Sequence, residues 1–342
     1  MFALPPTIAV ITQPTRLQGL VTRWSTRNAA KFRVKQAVVQ ERARQPVTNK
    51  RRASRAVDSN VALAAGIEAG EAAFDEYEQE DLAQRQSLDR LKTELDLGYP
   101  LKFVDRQYLP TFDFRGCVAV VVVGQDGLVA NTAKYVGDVP IVAVNPDPTR
   151  IDGILLPFQV PQARQAVKRT VENRAKVRQV TLASVSLNDG QHMLAFNDVF
   201  VGCRTHVSAR YFLRIENRME QQSSSGMIVS TGAGSTGWLS SVCNMADGFA
   251  AWTGDRKEHH ITMNWEDRRL VWVVREPFRS KLSGSDLVAG FLDQGHELIV
   301  ESLMPSNGVI FSDGIEADFL EFTSGTIARI GVSPQCARLV VS

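Results

Sequence analysis

The sequence predicts an α/β N-terminal domain built on a parallel sheet, followed by an all-β C-terminal domain. Three features point to it. Residues 117–127, CVAVVVVGQDG, are an apolar β-branched run that stops at Gly124-Gln125-Asp126-Gly127, as expected of a strand covered by helices on both faces. A second apolar run, residues 139–144, follows one helix length later, so strand, helix and strand make a parallel βαβ unit. From about Lys176 the apolar period changes to two, and Gly, Asn and Asp break every short run, which is antiparallel patterning.

The elements follow in order. Thr7–Thr12 (TIAVIT) reads as the first strand and Gln13-Pro14-Thr15 as a turn after it. Residues 31–55 carry nine Lys or Arg against Glu41, and residues 68–96 carry ten acids against Arg85, Arg90 and Lys92. Leu63, Ile67, Phe74 and Tyr77, then Leu88, Leu91 and Leu95, recur at helical spacing. Residues 31–98 are thus expected as a helical insertion whose opposite charges pair; Phe32 is the one aromatic residue in the basic stretch, which argues against a nucleic-acid face. Residues 128–134 form a helix, residues 139–144 a buried strand, and Asn145-Pro146-Asp147-Pro148 a loop on the same sheet edge.

Beyond the boundary, Val180 and Leu182, then Val185 and Leu187, alternate with polar neighbours, and the phase slips at Ala183-Ser184 as a β-bulge would make it. Asn188-Asp189-Gly190 turns a hairpin into residues 192–201. The domains are therefore residues 1–160, residues 161–330, and a last strand, residues 331–342, that returns to the first domain.

The 342 residues are 44% hydrophobic and 22% charged, with a net charge of +2, which suits a soluble chain with a full core and no global pull on nucleic acid. No apolar run is long enough to span a bilayer. Pro5-Pro6 and the absence of early basic residues argue against a signal peptide. Cys117, Cys203, Cys243 and Cys336 lack metal-ligand spacing, as do the five histidines, of which only His259-His260 are adjacent. A cytoplasmic protein with reduced thiols and no protein-bound metal is expected.

Two segments carry chemistry. Gly124-Gln125-Asp126-Gly127 delivers a carboxylate to the carboxyl edge of the sheet, where open α/β sheets bind ligands. Residues 223–238, SSSGMIVSTGAGSTGW, run from a strand into Thr231-Gly232-Ala233-Gly234-Ser235-Thr236-Gly237, whose glycines would let N–H groups approach an anion and whose hydroxyls add donors. Residues 238–245 then read as a helix with its N-terminus toward phosphate. No Lys follows the last glycine, so this is not a Walker A loop.

The order of these segments, Gly-x-Asp-Gly, Val-Asn-Pro, Phe-Asn-Asp-Val, Ile-Val-Ser-Thr-Gly-Ala-Gly-Ser-Thr-Gly-Trp and Phe-Ser-Asp-Gly, resembles the NAD kinase family over about residues 115–335. The resemblance implies a two-domain Rossmann-like plus all-β fold and transfer of a phosphoryl group from ATP, with Mg²⁺ carried by the triphosphate, to the adenosine ribose 2′-hydroxyl of NAD(H). It makes Asp126 the catalytic base. It makes Gly124, Gly127, Asn145, Asn197, Asp198, Thr231, Ser235, Thr236 and Asp313 nucleotide-binding, although Asp313-Gly314 is also a strong turn signal by itself. It implies small-molecule nucleotides as partners, neither nucleic acid nor membrane, and a homodimer or tetramer. Departures are Gln125 and Leu128 for Gly and Thr, Ser225 for an acid, Asp198 for the longer Glu, and Gly232-Ala233 for Pro-Thr. They keep two alternatives open: a related kinase acting on a lipid or sugar hydroxyl, and a non-catalytic nucleotide-binding protein.

Overall fold

The structure, a computed structural model, describes residues 5–44, 55–254 and 261–342. Lys50, Arg51, Arg52 and the His259-His260 pair lie outside the described residues. The chain opens with β1 (Thr7–Thr12) and α1 (Arg16–Trp24), whose first turn is closed by a capping box between Thr15 and Gln18. Then come α2 (Arg27–Arg44), α3 (Arg55–Glu94), β2 (Leu101–Asp105), β3 (Cys117–Val123), α4 (Asp126–Ala133), β4 (Ile141–Asn145), β5 (Phe158–Gln159) and α5 (Ala163–Val171). Strands β2, β1, β3, β4 and β5 are parallel neighbours, with Val120 to Val123 in register with Ile141 to Val144. Even and odd residues of these strands enter different cores. Val120, Val122, Ile141 and Ala143 pack with Leu128 and Val129 of α4, whereas Val121, Val123, Val142 and Val144 pack with Ala166 and Val167 of α5 and Leu91 and Leu95. Helices on both faces are why the valine run has no polar alternation.

The second half is a sandwich with one helix. It comprises β6 (Val177–Leu187), β7 (His192–Ala195), β8 (Asp198–Cys203), β9 (Ala209–Ile215), β10 (Arg218–Ser224), β11 (Met227–Ser230), α6 (Trp238–Thr253), β12 (Arg269–Val274), β13 (Ala289–Asp293), β14 (Leu298–Ser302), β15 (Gly308–Ser312), β16 (Leu320–Glu321) and β17 (Ile327–Val340). Strands β13, β12, β11, β8, β15 and β16 form a six-stranded antiparallel sheet. Strands β6, β7, β9, β10, β14 and β17 extend the parallel sheet into one eleven-stranded mixed sheet. The two sheets pack through Leu187, Leu213, Leu298 and Ile330 against Val199, Val229, Leu270 and Ile310. β17 joins the halves: it pairs antiparallel with β6 along its length and parallel with β4 at Leu339 and Ile141.

Several expectations shift in detail. The helix after β3 begins at Asp126 rather than at residue 128, so Gly-x-Asp-Gly is a strand-to-helix passage and not a tight turn. Ala183 and Ser184, where a bulge is expected, pair in regular register; the irregularity lies one step earlier, between Thr181 and Ala183, with the extra residues on β17 between Val332 and Cys336. Residues 192–201 do not make one strand. The chain leaves the mixed sheet after Ala195 and enters the antiparallel sheet at Asp198, because a side chain takes the intervening backbone amides. The charge pairing expected of the helical insertion is seen as Lys35–Glu71 and Arg27–Glu78, both joining α2 to α3. No helix among the described residues is long and apolar enough to cross a membrane.

Candidate functional site

Asp126 is the first residue of α4 and Gln125 caps it, in an extended conformation that requires no glycine. The Gln125 side chain is exposed and makes no capping hydrogen bond. A carboxylate in the first turn is favoured by the helix dipole. The Asp126 carboxylate is half-buried and accepts from the amides of Leu155 at 2.7 Å and Ile154 at 3.3 Å. Leu128, in place of the family's hydroxyl, is 1% exposed and belongs to the core beneath the helix. Of the flanking glycines, Gly127 opens on free space, while a Cβ at Gly124 would stand 3.0 Å from the Leu128 Cδ2.

Asn145 holds the loop that reaches Asp126. Its side chain accepts from the Asp147 amide at 3.0 Å and donates to the Ile151 carbonyl at 2.9 Å. Gly153 then takes a left-handed φ of 67°, and the next two amides meet the carboxylate. The Ile154 side chain beside it is 75% exposed. Sequence patterning does not mark this loop as part of the site. Its only signal is the apolar run Ile154-Leu155-Leu156 directly after Asp152-Gly153, with no alternation to make it a strand.

The segment of residues 196–198 is held from two directions. Asp313, at φ 55°, is followed by Gly314 at φ 70°, and the Ile315 amide donates to the Ser312 carbonyl. Two left-handed residues make a type I′ turn. The turn aims the Asp313 carboxylate at the amides of Asn197 (2.6 Å), Phe196 (3.1 Å) and Asp198 (3.3 Å). Lys134, just past the end of α4, lies 3.7 Å from the same carboxylate and donates to the Ser312 hydroxyl at 2.9 Å. Burial pushes Asp313 up and Lys134 down, and their mutual attraction opposes both shifts. Asp198 is 7% exposed, and no side chain among the described residues donates to its carboxylate. Burial, then the nearby Asp313 charge, pushes it up to about 7. Lys134 escapes a reading of the sequence. The one signal for it is a lysine closing a helix whose preceding six residues are all buried in the fold.

The glycine loop supports this segment from the other side. Thr231 is fully buried; its hydroxyl donates to the Phe196 carbonyl at 2.6 Å, and its amide donates to the Asn197 carbonyl at 2.9 Å. A Cβ at Gly234 would lie 2.1 Å from the Asn197 carbonyl oxygen, and one at Gly232 would lie 1.9 Å from that of Asn264. These two glycines therefore serve close approach to protein backbone, rather than openness to an anion. Ser235 is buried and donates to the Gly232 carbonyl; Thr236 is exposed. Asn145, Thr231, Ser235 and Asp313 thus turn their side chains to protein partners, whereas Asp126, Gly127, half-buried Asn197 and Thr236 retain access to solvent.

These segments converge. Leu128 and Leu155 beside Asp126, Phe196 beside Asn197, and Ala233 of the glycine loop share one hydrophobic cluster. Where α6 leaves the loop, Trp238 stacks on Phe200 with ring centroids 5.6 Å apart, and Phe200 meets Phe311 at 4.8 Å. With Phe319, Arg204 and Arg275 they wall a cavity of 610 Å³ on the outer face of the antiparallel sheet. Among the described residues no three His, Cys, Asp or Glu side chains gather as a metal site.

No protein-family profile matches this chain, and no curated protein matches it. Solved structures do. Yeast NADH kinase, solved with NADH, is 14% identical, with 99% of this chain and 84% of that one aligned at a TM-score of 0.54. An NAD kinase from Archaeoglobus fulgidus, solved with ATP, is 19% identical, with 74% of this chain and 88% of that one aligned at a TM-score of 0.52. The parallel sheet with helices on both faces, continued into a β-sandwich, is thus an NAD kinase-like fold.

Proposed function

We propose that the chain is a divergent NAD kinase-like phosphotransferase that moves the γ-phosphoryl group of ATP to the adenosine ribose 2′-hydroxyl of NAD or NADH. The observation that supports this reading is that Leu128 and Leu155 beside Asp126, Phe196 beside Asn197, and Ala233 of the glycine loop, far apart in sequence and in the family's order, belong to one hydrophobic cluster. The structural neighbours solved with NADH and with ATP support it.

Phosphoryl transfer rests on positioning and charge more than on covalent catalysis. A carboxylate has about four acceptor positions, and two amides hold that of Asp126 in one orientation. The remaining positions accept the 2′-hydroxyl proton as the oxygen attacks phosphorus. Asn197, Asp198 and Thr236 orient the acceptor nucleoside, and Gly127 leaves open space for the triphosphate, while buried Gly124 serves the close approach of Leu128. Mg²⁺ carried by the triphosphate would neutralise its charge, as it does in kinase sites. The purified chain with ATP–Mg²⁺ and NAD is expected to form NADP, and Asp126→Asn is expected to lower the rate roughly 10²–10⁴-fold, the usual worth of a general base. Undiminished turnover in that variant would remove Asp126 from the chemistry.

A second reading draws on the aromatic-walled cavity in the β half: phosphorylation of a lipid or sugar hydroxyl at the same Asp126. ATP consumed only with such an acceptor, and never with NAD, selects it. If neither ATP nor NAD raises Tm, both readings fail, because a ligand that binds only the folded state must stabilise it.

A further inference from the structure

The helix that presents Asp126 is tied at its far end to the segment that presents Asn197 and Asp198. α4 starts at Asp126 and Lys134 follows its last residue, so the two backbone positions are about 12 Å apart along the helix at 1.5 Å per residue. Lys134 reaches across to the antiparallel sheet, where its ammonium donates to the Ser312 hydroxyl and lies 3.7 Å from the Asp313 carboxylate. Both side chains are enclosed, at 4% and 2% exposure. The same carboxylate accepts the three amides of residues 196–198, and the Asp313 amide donates back to the Asp198 carbonyl at 2.9 Å. Asp313 is thus a hub joining one cation from α4 to three consecutive backbone groups of the acceptor segment.

Stability alone does not account for such a pair. Burying a lysine and an aspartate costs several kcal/mol per ion, and well-packed apolar residues of similar volume often do as well or better. In some proteins such a buried hydrogen-bonded group instead fixes the register of the elements it joins. The geometry points to Lys134 as a positioning residue: through Asp313 it sets where residues 196–198 stand relative to Asp126. The inference rests on the phosphotransferase reading for its kinetic consequence, because a base and an acceptor displaced by about 1 Å lose on the order of 100-fold in rate.

Lys134→Met, Lys134→Arg and Ser312→Ala test it, each compared with wild type in NADP formation and in amide hydrogen exchange of residues 196–198. Lys134→Met is expected to lower kcat about 10–100-fold while KM for ATP stays within about twofold, because the proposed triphosphate contact, Gly127, lies at the other end of α4. Lys134→Arg is expected to restore most of kcat, and Ser312→Ala to lose a few-fold. Amides 196–198 should exchange at least about tenfold faster in Lys134→Met, with β3 unchanged. Wild-type kcat and wild-type exchange in Lys134→Met overturn the inference. So does a loss that arginine fails to rescue with faster exchange throughout the chain, which marks a merely structural group. If wild type forms no NADP, the phosphotransferase reading fails on its own, and the exchange experiment still decides the positioning: faster at 196–198 upholds it, unchanged overturns it. If Lys134→Met does not fold, Ser312→Ala carries the same readings at smaller amplitude.

Discussion

Asp198 is the side chain most altered by its surroundings. In the sequence it is one acid in a strand; in the fold it sits with little water beside the Asp313 carboxylate, and both push its pKa from 3.8 to about 7. A carboxyl raised on folding favours the protonated form. Its contribution to stability is therefore full below about pH 4 and is lost as pH rises through about 7. At about 1.4 kcal/mol per pH unit, the full climb is worth about 4 kcal/mol. Asp198→Asn cannot titrate, so its stability relative to wild type should increase steadily between pH 4 and 8, measured by urea unfolding of both proteins across that range. A constant difference would show that Asp198 is not perturbed. Gly234 is a contrasting residue, visible in the sequence as a loop signal. The reason for it, a carbonyl oxygen 2.1 Å from where a Cβ would be, belongs to Asn197, on a different strand connection.

Among the elements, the long helices are where charge patterning in the sequence is most direct. Basic α2 and acidic α3 pair through Lys35–Glu71 and Arg27–Glu78, and Arg16 of α1 joins Glu80. The two helices approach so closely that a Cβ on Gly70 would lie 2.8 Å from the Lys35 Cα. Phe74 packs with Leu17 and Ala30, and Leu91 and Leu95 enter the core under the parallel sheet, all of them fully buried apart from Leu17. Deleting residues 36–95 would thus open two cores, at about 2–5 kcal/mol for each large apolar side chain removed. Replacing only residues 36–69 by a short Gly/Ser linker should leave Tm within about 3 °C, the shift that about 1 kcal/mol produces in a protein of this size. Calorimetry checks this, and a fall of 10 °C would place the outer hairpin in the folded core. Solution mass of the same variant shows whether the outer hairpin holds copies together.

For the whole molecule, β17 is the piece that makes one body of two halves. Its first residues pair with β14, its full length with β6, and Leu339 with β4, while Ala337 and Leu339 enter one core of the parallel sheet and Val340 the other. A chain truncated after Gln335 should lose cooperative unfolding and near-ultraviolet dichroism, because the cut takes Ala337 and Leu339 from one core of the parallel sheet and Val340 from the other. A native-like spectrum would show that the halves stand without this strand. Much of the fold is legible beforehand: the valine run, the βαβ order and the period-two strands each state their own environment. β2, β10 and β13 are not, since Leu101–Asp105 lacks alternation and Arg218–Ser224 has Met219 as its one apolar residue; only pairing with neighbours makes them strands. Of the site, Asp126 and Asn197-Asp198 are legible because glycine and short polar side chains interrupt apolar runs there.

Periodicity and turn chemistry are local properties. The elements and their order, the buried parallel strands, and the residue types at the sheet edge can therefore be read from the amino acids alone. What those residues do with their atoms depends on packing between distant segments. Asn145, Thr231, Ser235 and Asp313 turn inward to satisfy backbone groups, Leu155 and Ile154 orient Asp126, and Lys134 meets Asp313. A polar side chain forced out of water takes whichever partner the packing brings within about 3 Å. For the amides of residues 196–198 that partner is Asp313, more than a hundred residues away in the chain.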